Sequence, residues 1–456
     1  MGTVGLSFGA ATSGTGFDVS STVSAIMAES SAIETPWNNQ LTALQSQDTA
    51  LTSMGTDLST LTTSLQSLTD ADGVFSSMQG SSSDNSVVEL TNASTGAVAG
   101  THSVTVTRLA QTSSVYSGDA AASDNLSGSF TITIGSGTAQ TVTVASGSTL
   151  STLAAAINQG SYGVKANVIT DSGGERLALV SSTGGAAGQI AIGGSITDST
   201  SGGSLSFSSG QAGLDAEYNV DGIDMTSGSN TVTGAIPGVT MQLLGTSSNA
   251  AQLVIANDNS AVESAMSSFV TAYNAVVKDV NAQEQNSSSG SAQPLFGTPI
   301  MAQIQQALSN ALIGGSASGS MSNIAQLGLE VSANGDGTLT LNTNTLDSAL
   351  NSDYNGVEGF LQNTGSFGQN LASALNGLGN QAPDGAVYLT LQQNSSQETD
   401  LNNSITNENA LLATEKTNLT AELTAANLTL QAIPEQIQSI QELYSAITGY
   451  GNTATS

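Results

Sequence analysis

From Val23 onward, large apolar residues return every three and four positions. One row reads Val23, Ser30, Trp37, Leu44, Leu51, Leu58 and Leu65; the other reads Ile26, Ile33, Gln40, Gln47, Met54, Leu61 and Leu68. Eleven of these fourteen positions are apolar, and the register holds for seven heptads, which predicts a coiled-coil-like helix. Pro36 should interrupt or kink it, because proline lacks the amide hydrogen that the helix ladder needs. The other end of the chain mirrors this pattern. Leu419, Leu423, Ala426, Leu430, Ile433, Ile437, Ile440, Tyr444 and Ile447 follow alternating steps of four and three, with Pro434 inside the run. Ile405 and Leu412 extend the seam backwards, interrupted by Asn409 and Lys416. Such a seam gains about 1.5–3 kcal/mol per large side chain only when another surface covers it. The simplest covers are the two ends of the same chain and their copies in neighbouring subunits.

Between these ends the period shortens to two. Val87–Leu90, Ser103–Thr107, Phe130–Ile134, Thr141–Val144 and Leu177–Val180 read as β-strands, being β-branched and bounded by Gly/Ser turns. A helix over Leu150–Asn158 stops at Gly160. A second strand set runs through Ala216–Val220, Asn230–Val232, Thr240–Leu244 and Ala251–Ile255. Helical spacing resumes at Val262, Met266, Phe269, Val270, Tyr273, Val277 and Val280, and again over 299–313. A hairpin-like pair, Leu327–Val331 and Gly337–Leu341, flanks Asn334-Gly-Asp-Gly. Segments 1–18, 284–293 and 314–320 read as disordered or loop. The order helix, β, β, helix implies an α+β, multidomain chain: a coiled-coil-like helical stem from both termini, with two nested β-rich head domains inserted.

Composition narrows the function. The chain has 456 residues, enough for two to four domains. Five Lys+Arg against 35 Asp+Glu leave a net charge of −30, which excludes a nucleic-acid binder and a basic membrane-surface helix. No run of about 18 apolar residues suggests a membrane span, and the first residues do not resemble a secretory signal. Zero Cys removes disulfides and thiolate chemistry, and one His, His102, precludes a histidine metal cluster within one chain.

Candidate chemistry is sparse. No phosphate loop, nucleophile elbow, zinc motif or dinucleotide fingerprint occurs. Asp70-Ala-Asp72-Gly and Asn334-Gly-Asp336-Gly resemble fragments of calcium loops but lack the further carboxylates, so turn chemistry is the better reading. His102, at a strand entry, reads as a solvent-facing residue, and Trp37 as seam packing. No catalytic residue, metal site or cofactor site is expected.

Several ordered motifs resemble the bacterial flagellar filament-capping family, hook-associated protein 2. They begin with Gly16-Phe17-Asp18-Val19 followed by Val23, Ile26, Met27 and Glu29. The junction Ala99-Gly-Thr-His-Ser-Val-Thr-Val106 with Leu109-Ala110-Gln111 is the most specific piece. Ala156-Ile157-Asn158, Gly163-Val164-x-Ala166, Arg176-Leu177-x-Leu179, Ala216-Glu-Tyr-Asn-Val-Asp-Gly222, Ile236-Pro-Gly-Val239 and Phe269-Val-x-Ala-Tyr-Asn274 continue it in order. Departures are Phe17 for the usual Leu, His102 for a common Tyr, and no Lys or Arg before Arg108 or after Lys416.

The resemblance implies a non-enzymatic flagellar cap that promotes flagellin polymerisation and prevents loss of exported subunits. Implied partners are further copies of itself (typically a pentamer), flagellin, hook-filament junction proteins and a flagellar export chaperone, with neither nucleic acid nor membrane. The implied location is the distal tip, reached through the flagellar type III apparatus. Another axial protein, a junction protein or flagellin, would share the terminal seams, but the Leu109-Ala-Gln junction and nested β domains favour the cap. An acidic surface adhesin or carbohydrate-active protein is the remaining alternative. The expected segments are 1–40 (disordered then coiled coil), 41–80 (stem helix), 81–115 and 214–257 (head), 116–213 (inserted head), 258–415 (stem) and 416–456 (coiled coil). The expected oligomer and leg interface is Val23, Ile26, Ile33, Trp37, Leu44, Leu51, Met54, Leu58, Leu61, Leu65 and Leu68 with Leu419, Leu423, Leu430, Ile433, Ile437, Ile440, Tyr444 and Ile447.

Overall fold

A computed structural model describes residues 15–286, 290–313, 320–379 and 382–449. Most of the expected N-terminal disordered stretch, and parts of the two expected loops, lie outside the described residues. Among those described, the helices are α1 (Val19–Ser30), α2 (Glu34–Thr69), α3 (Leu150–Gln159), α4 (Asn259–Gln283), α5 (Pro299–Ile313), α6 (Thr343–Gln362), α7 (Phe367–Leu378) and α8 (Ala386–Thr448). The chain is α+β and divides into two units, Met1–Gln66 with Met266–Ser456, and Ser67–Ala265.

The inserted unit carries two hydrophobic cores. Its strands begin with β1 (Met78–Ser82), β2 (Val88–Ala93) and β3 (Gly100–Arg108). The chain then leaves for β4 (Ser114–Ser117), β5 (Leu126–Ile134), β6 (Gln140–Ser148), β7 (Val164–Asp171), β8 (Gly174–Ser181), β9 (Ile190–Asp198), β10 (Ser204–Leu205) and β11 (Phe207–Gln211). It returns as β12 (Ala216–Val220), β13 (Ile223–Ser227), β14 (Thr231–Thr233), β15 (Val239–Leu243) and β16 (Ala251–Asn257). The outer set forms antiparallel sheets β1-β16-β3-β12-β13 and β14-β15-β2; the nested set forms β10-β9-β5-β6 and β11-β4-β8-β7. Period-two alternation sends Ala216, Tyr218 and Val220 into the outer core, and Phe130, Ile132, Val142 and Val144 into the nested one. Helix α3 adds Leu150, Leu153, Ala154 and Ile157 to the nested core. It starts at a reciprocal cap: Thr149 Oγ1 accepts the Thr152 N–H, and Thr152 Oγ1 accepts the Thr149 N–H.

The helical unit gathers both termini and adds a short hairpin, β17 (Leu329–Val331) with β18 (Leu339–Leu341). Asp18 caps α1 by accepting the Ser21 N–H. The expected interruption near Pro36 falls slightly earlier, at a 3₁₀ turn over Ser31–Ile33. Pro36 itself sits in the first turn of α2, where a missing amide hydrogen costs no ladder bond. Pro434, by contrast, lies inside α8, which runs uninterrupted from Ala386 to Thr448 and so passes straight through position 416. These helices are rich in Ser and Thr, which are poor helix formers. Many of their hydroxyls fold back onto the carbonyl four residues earlier, as Thr42 does to Asn38, Thr56 to Thr52 and Thr414 to Ala410.

Candidate functional site

The two predicted seams are treated differently by the fold. Val23, Leu44, Leu51, Met54, Leu58, Leu61, Leu65 and Leu68 are all buried. Helix α2 shares a cleft of about 450 Å³ with Leu295, Ile300 and the Thr390–Gln397 face of α8, and a smaller one with Leu375 and Asn376 of α7. These eight side chains are therefore core of a single chain rather than surface offered to a second one. Ile26 and Trp37 are half-buried, and Ile33 is exposed.

On α8 the seam is covered in part. Helix α1 packs along α8, and the Phe17 N–H reaches Asn427 Oδ1 at 2.8 Å. Leu419, Leu423, Leu430, Ile433 and Ile437 are half-buried. Beyond them Ile440, Tyr444 and Ile447 stand 66%, 65% and 75% exposed. Leu411, Leu428 and Leu443 are exposed as well. Reading only the three-four seam misses these three leucines, although large apolar residues lying off that pattern were the available signal.

Asp279 on α4 sits against Asp57 on α2; burial, then the hydrogen bond and the charge of Asp57, push the Asp279 carboxyl up to about 6. Burial also pushes the Tyr273 phenol up to about 12. Glu34 and Glu398 each keep one buried carboxylate oxygen without a hydrogen-bond partner.

The remaining candidates are structural. His102 Nδ1 lies 2.6 Å from Asp221 Oδ2, so this histidine ties β3 to the β12–β13 turn instead of facing solvent alone. The His102 bond is the first cause holding the Asp221 carboxyl below its usual range. Asp336 accepts the N–H and hydroxyl of Thr338, closing a turn. Among the described residues no group of three or more His, Asp or Glu could hold a metal ion, and no helix is long and apolar enough to cross a membrane.

The family profile "Flagellar hook-associated protein 2 C-terminus" matches residues 213–446, and "Flagellar hook-associated protein 2 N-terminus" matches 15–113. A "Flagellin hook IN motif" matches 129–183, inside the nested β set. The chain is 29% identical over 322 residues to the B-type flagellar hook-associated protein 2 of Pseudomonas aeruginosa, covering 63% of this chain and 66% of that one. It is 27% identical over 466 residues to the flagellar hook-associated protein 2 of Escherichia coli K12, covering 93% and 97%. In fold it is similar to the crystal structure of the flagellar cap protein FliD D1-D2-D3 domains from Escherichia coli. The TM-score is 0.57 at 24% identity, over 76% of this chain and 99% of that one.

Proposed function

The chain belongs to the flagellar hook-associated protein 2 family, and from this premise we propose that it is a filament cap working at the distal tip of the flagellum. It acts by contact alone. Several copies (a pentamer is typical of such caps) close into a ring, promote polymerisation of flagellin beneath it and keep exported subunits from escaping. Export runs through the flagellar type III apparatus with a chaperone, and the ring first seats on the hook-filament junction proteins.

One observation carries this reading. The α8 seam is half-covered by its own chain up to Ile437, yet the same seam continues to Ile447 in water. An apolar stripe continuous with a packed one calls for a protein partner, each large side chain standing to gain about 1.5–3 kcal/mol on burial. The interface proposed for other copies and for the filament is therefore the C-terminal set, with Ile33.

Removing 438–456 in a strain that has no other cap tests the proposal. Filaments should be short or missing, and flagellin should accumulate in the medium. Normal filaments with clear medium would overturn it.

A further inference from the structure

We propose that β6 is a docking edge for β6 of a second copy of this chain, the two strands pairing antiparallel about a two-fold axis. Strand β6 ends its sheet, and among the described residues no strand continues the ladder beyond it. An open edge presents unpaired N–H and C=O groups, and proteins normally blunt such edges with charge, proline, bulges or a covering group.

The neighbouring edge shows that blunting. Strand β7 carries Lys165 and Asp171. It is also plugged by Asn158 of α3, whose Nδ2 donates to the Ala166 carbonyl at 2.7 Å while its Oδ1 accepts the Ala166 N–H at 2.8 Å. The other edges are shorter or interrupted: β1 and β13 have five residues each, β13 including Asp224, β2 carries Glu89 and a register shift, β11 has a register shift, β14, β17 and β18 have three residues each, and β10 has two.

Strand β6 has nine residues and neither charge nor proline. Its straight part, Gln140–Val144, is in continuous register with β5 and ends where Leu126 faces Ser148 but Gly128 faces Val144. Thr141 and Thr143 are exposed, while Val142 and Val144 point into the core.

Charge selects the occupant. Residues 125–164 hold no Asp, Glu, Lys, Arg or His in a chain of net charge −30. Two such chains repel wherever acids line the approach, and a long uncharged stretch is where backbone can meet backbone without that cost. An antiparallel edge is self-complementary, so a second copy brings the same neutral strand with Thr opposite Thr or Ala on the outer face, a favourable cross-strand pairing. About five residues of ladder make this a transient contact, and its two-fold symmetry sets it apart from the head-to-tail contact that closes a ring.

Because the chain contains no cysteine, single-cysteine cross-linking of the full chain tests it directly. Thr143→Cys and Thr141→Cys are oxidised gently beside a Thr170→Cys control on the plugged β7 edge. Whichever of the first two lies nearer the axis should form a disulfide-linked dimer at least tenfold faster than the control. Adding Thr141→Lys to Thr143→Cys should slow that cross-link about tenfold. Lysine moves the net charge one unit towards zero, so bulk repulsion cannot explain the loss. Cross-linking equal to the control in both variants, or indifferent to Thr141→Lys, would overturn the proposal.

Discussion

Asn394 Nδ2 on α8 donates to Asp48 Oδ1 on α2 at 2.6 Å, joining residues 346 positions apart. Asn394 is buried, so this bond is both a register pin between the terminal helices and an obligation. Asp48→Ala leaves the amide unsatisfied and should cost about 1–3 kcal/mol, read as a lower urea midpoint for the helical unit. An unchanged midpoint would mean that water takes the place of Asp48.

The two seams predict opposite mutational behaviour. Leu58 is fully buried, so Leu58→Ala should lower stability by about 2–5 kcal/mol through lost burial and a cavity. Ile440 is 66% exposed, so Ile440→Ala should leave the monomer's thermal transition within about 0.5 kcal/mol. Only assembly should suffer, as sedimentation velocity would reveal. Equal destabilisation by the two substitutions would refute this division of labour.

Acid should relieve a strain inside the helical unit. Asp279 has a folded pKa of about 6 against an ordinary 3.8. The folded state thus binds its proton more tightly than the unfolded state does. Below pH 3.8 both states are protonated and no penalty exists. Stability then falls as pH rises through the window from 3.8 to 6, and above it the penalty is constant. Asp279→Asn should flatten that slope. At pH 7 it should add about 1 kcal/mol, after allowance for partial exposure, or roughly 2–4 °C in Tm. A calorimetric pH series on both proteins measures it, and identical slopes would exclude Asp279 as the cause.

The β12–β13 hairpin depends on a non-glycine residue with positive φ. Asp221 and Gly222 sit at φ 53° and 87°, a two-residue turn of the type that asparagine, aspartate and glycine favour. Asp221 also accepts the Ser103 N–H at 2.8 Å. Asp221→Val should therefore cost about 2 kcal/mol from backbone strain plus the lost acceptor. His102→Ala removes only a partly exposed pairing and should cost less than about 1 kcal/mol. Thermal melts of the two variants give the ranking, and a reversed order would show the His102–Asp221 contact to outweigh the turn.

Much of the architecture was legible in the chain. The three-four spacing placed α2, α4, α5 and the body of α8, and alternation placed β3, β5, β6, β8, β12, β15 and β16. Other strands carried weak signals. Strand β4 is four residues of Ser-Val-Tyr-Ser, and β9 is interrupted by Gly193-Gly194, with Gly194 at φ 89°. Their strand character comes from neighbours in the sheet rather than from their own side chains. Spacing alone did not place α6 and α7 within the expected stem, because their Gly and Asn residues weaken the local helix signal and packing supplies the rest.

The sequence by itself determined that helices with one apolar stripe each flank a β-rich middle, and that thiol chemistry is absent because the chain has no cysteine. A stripe records only that something covers it. The tertiary structure decided what does: Leu44–Leu68 fall within the chain's own core, Leu419–Ile437 are partly sheltered where α1 lies on α8, and Ile440, Tyr444 and Ile447 are left bare. That choice depends on where segments hundreds of residues away come to lie, and periodicity, being local, carries no information about such distances.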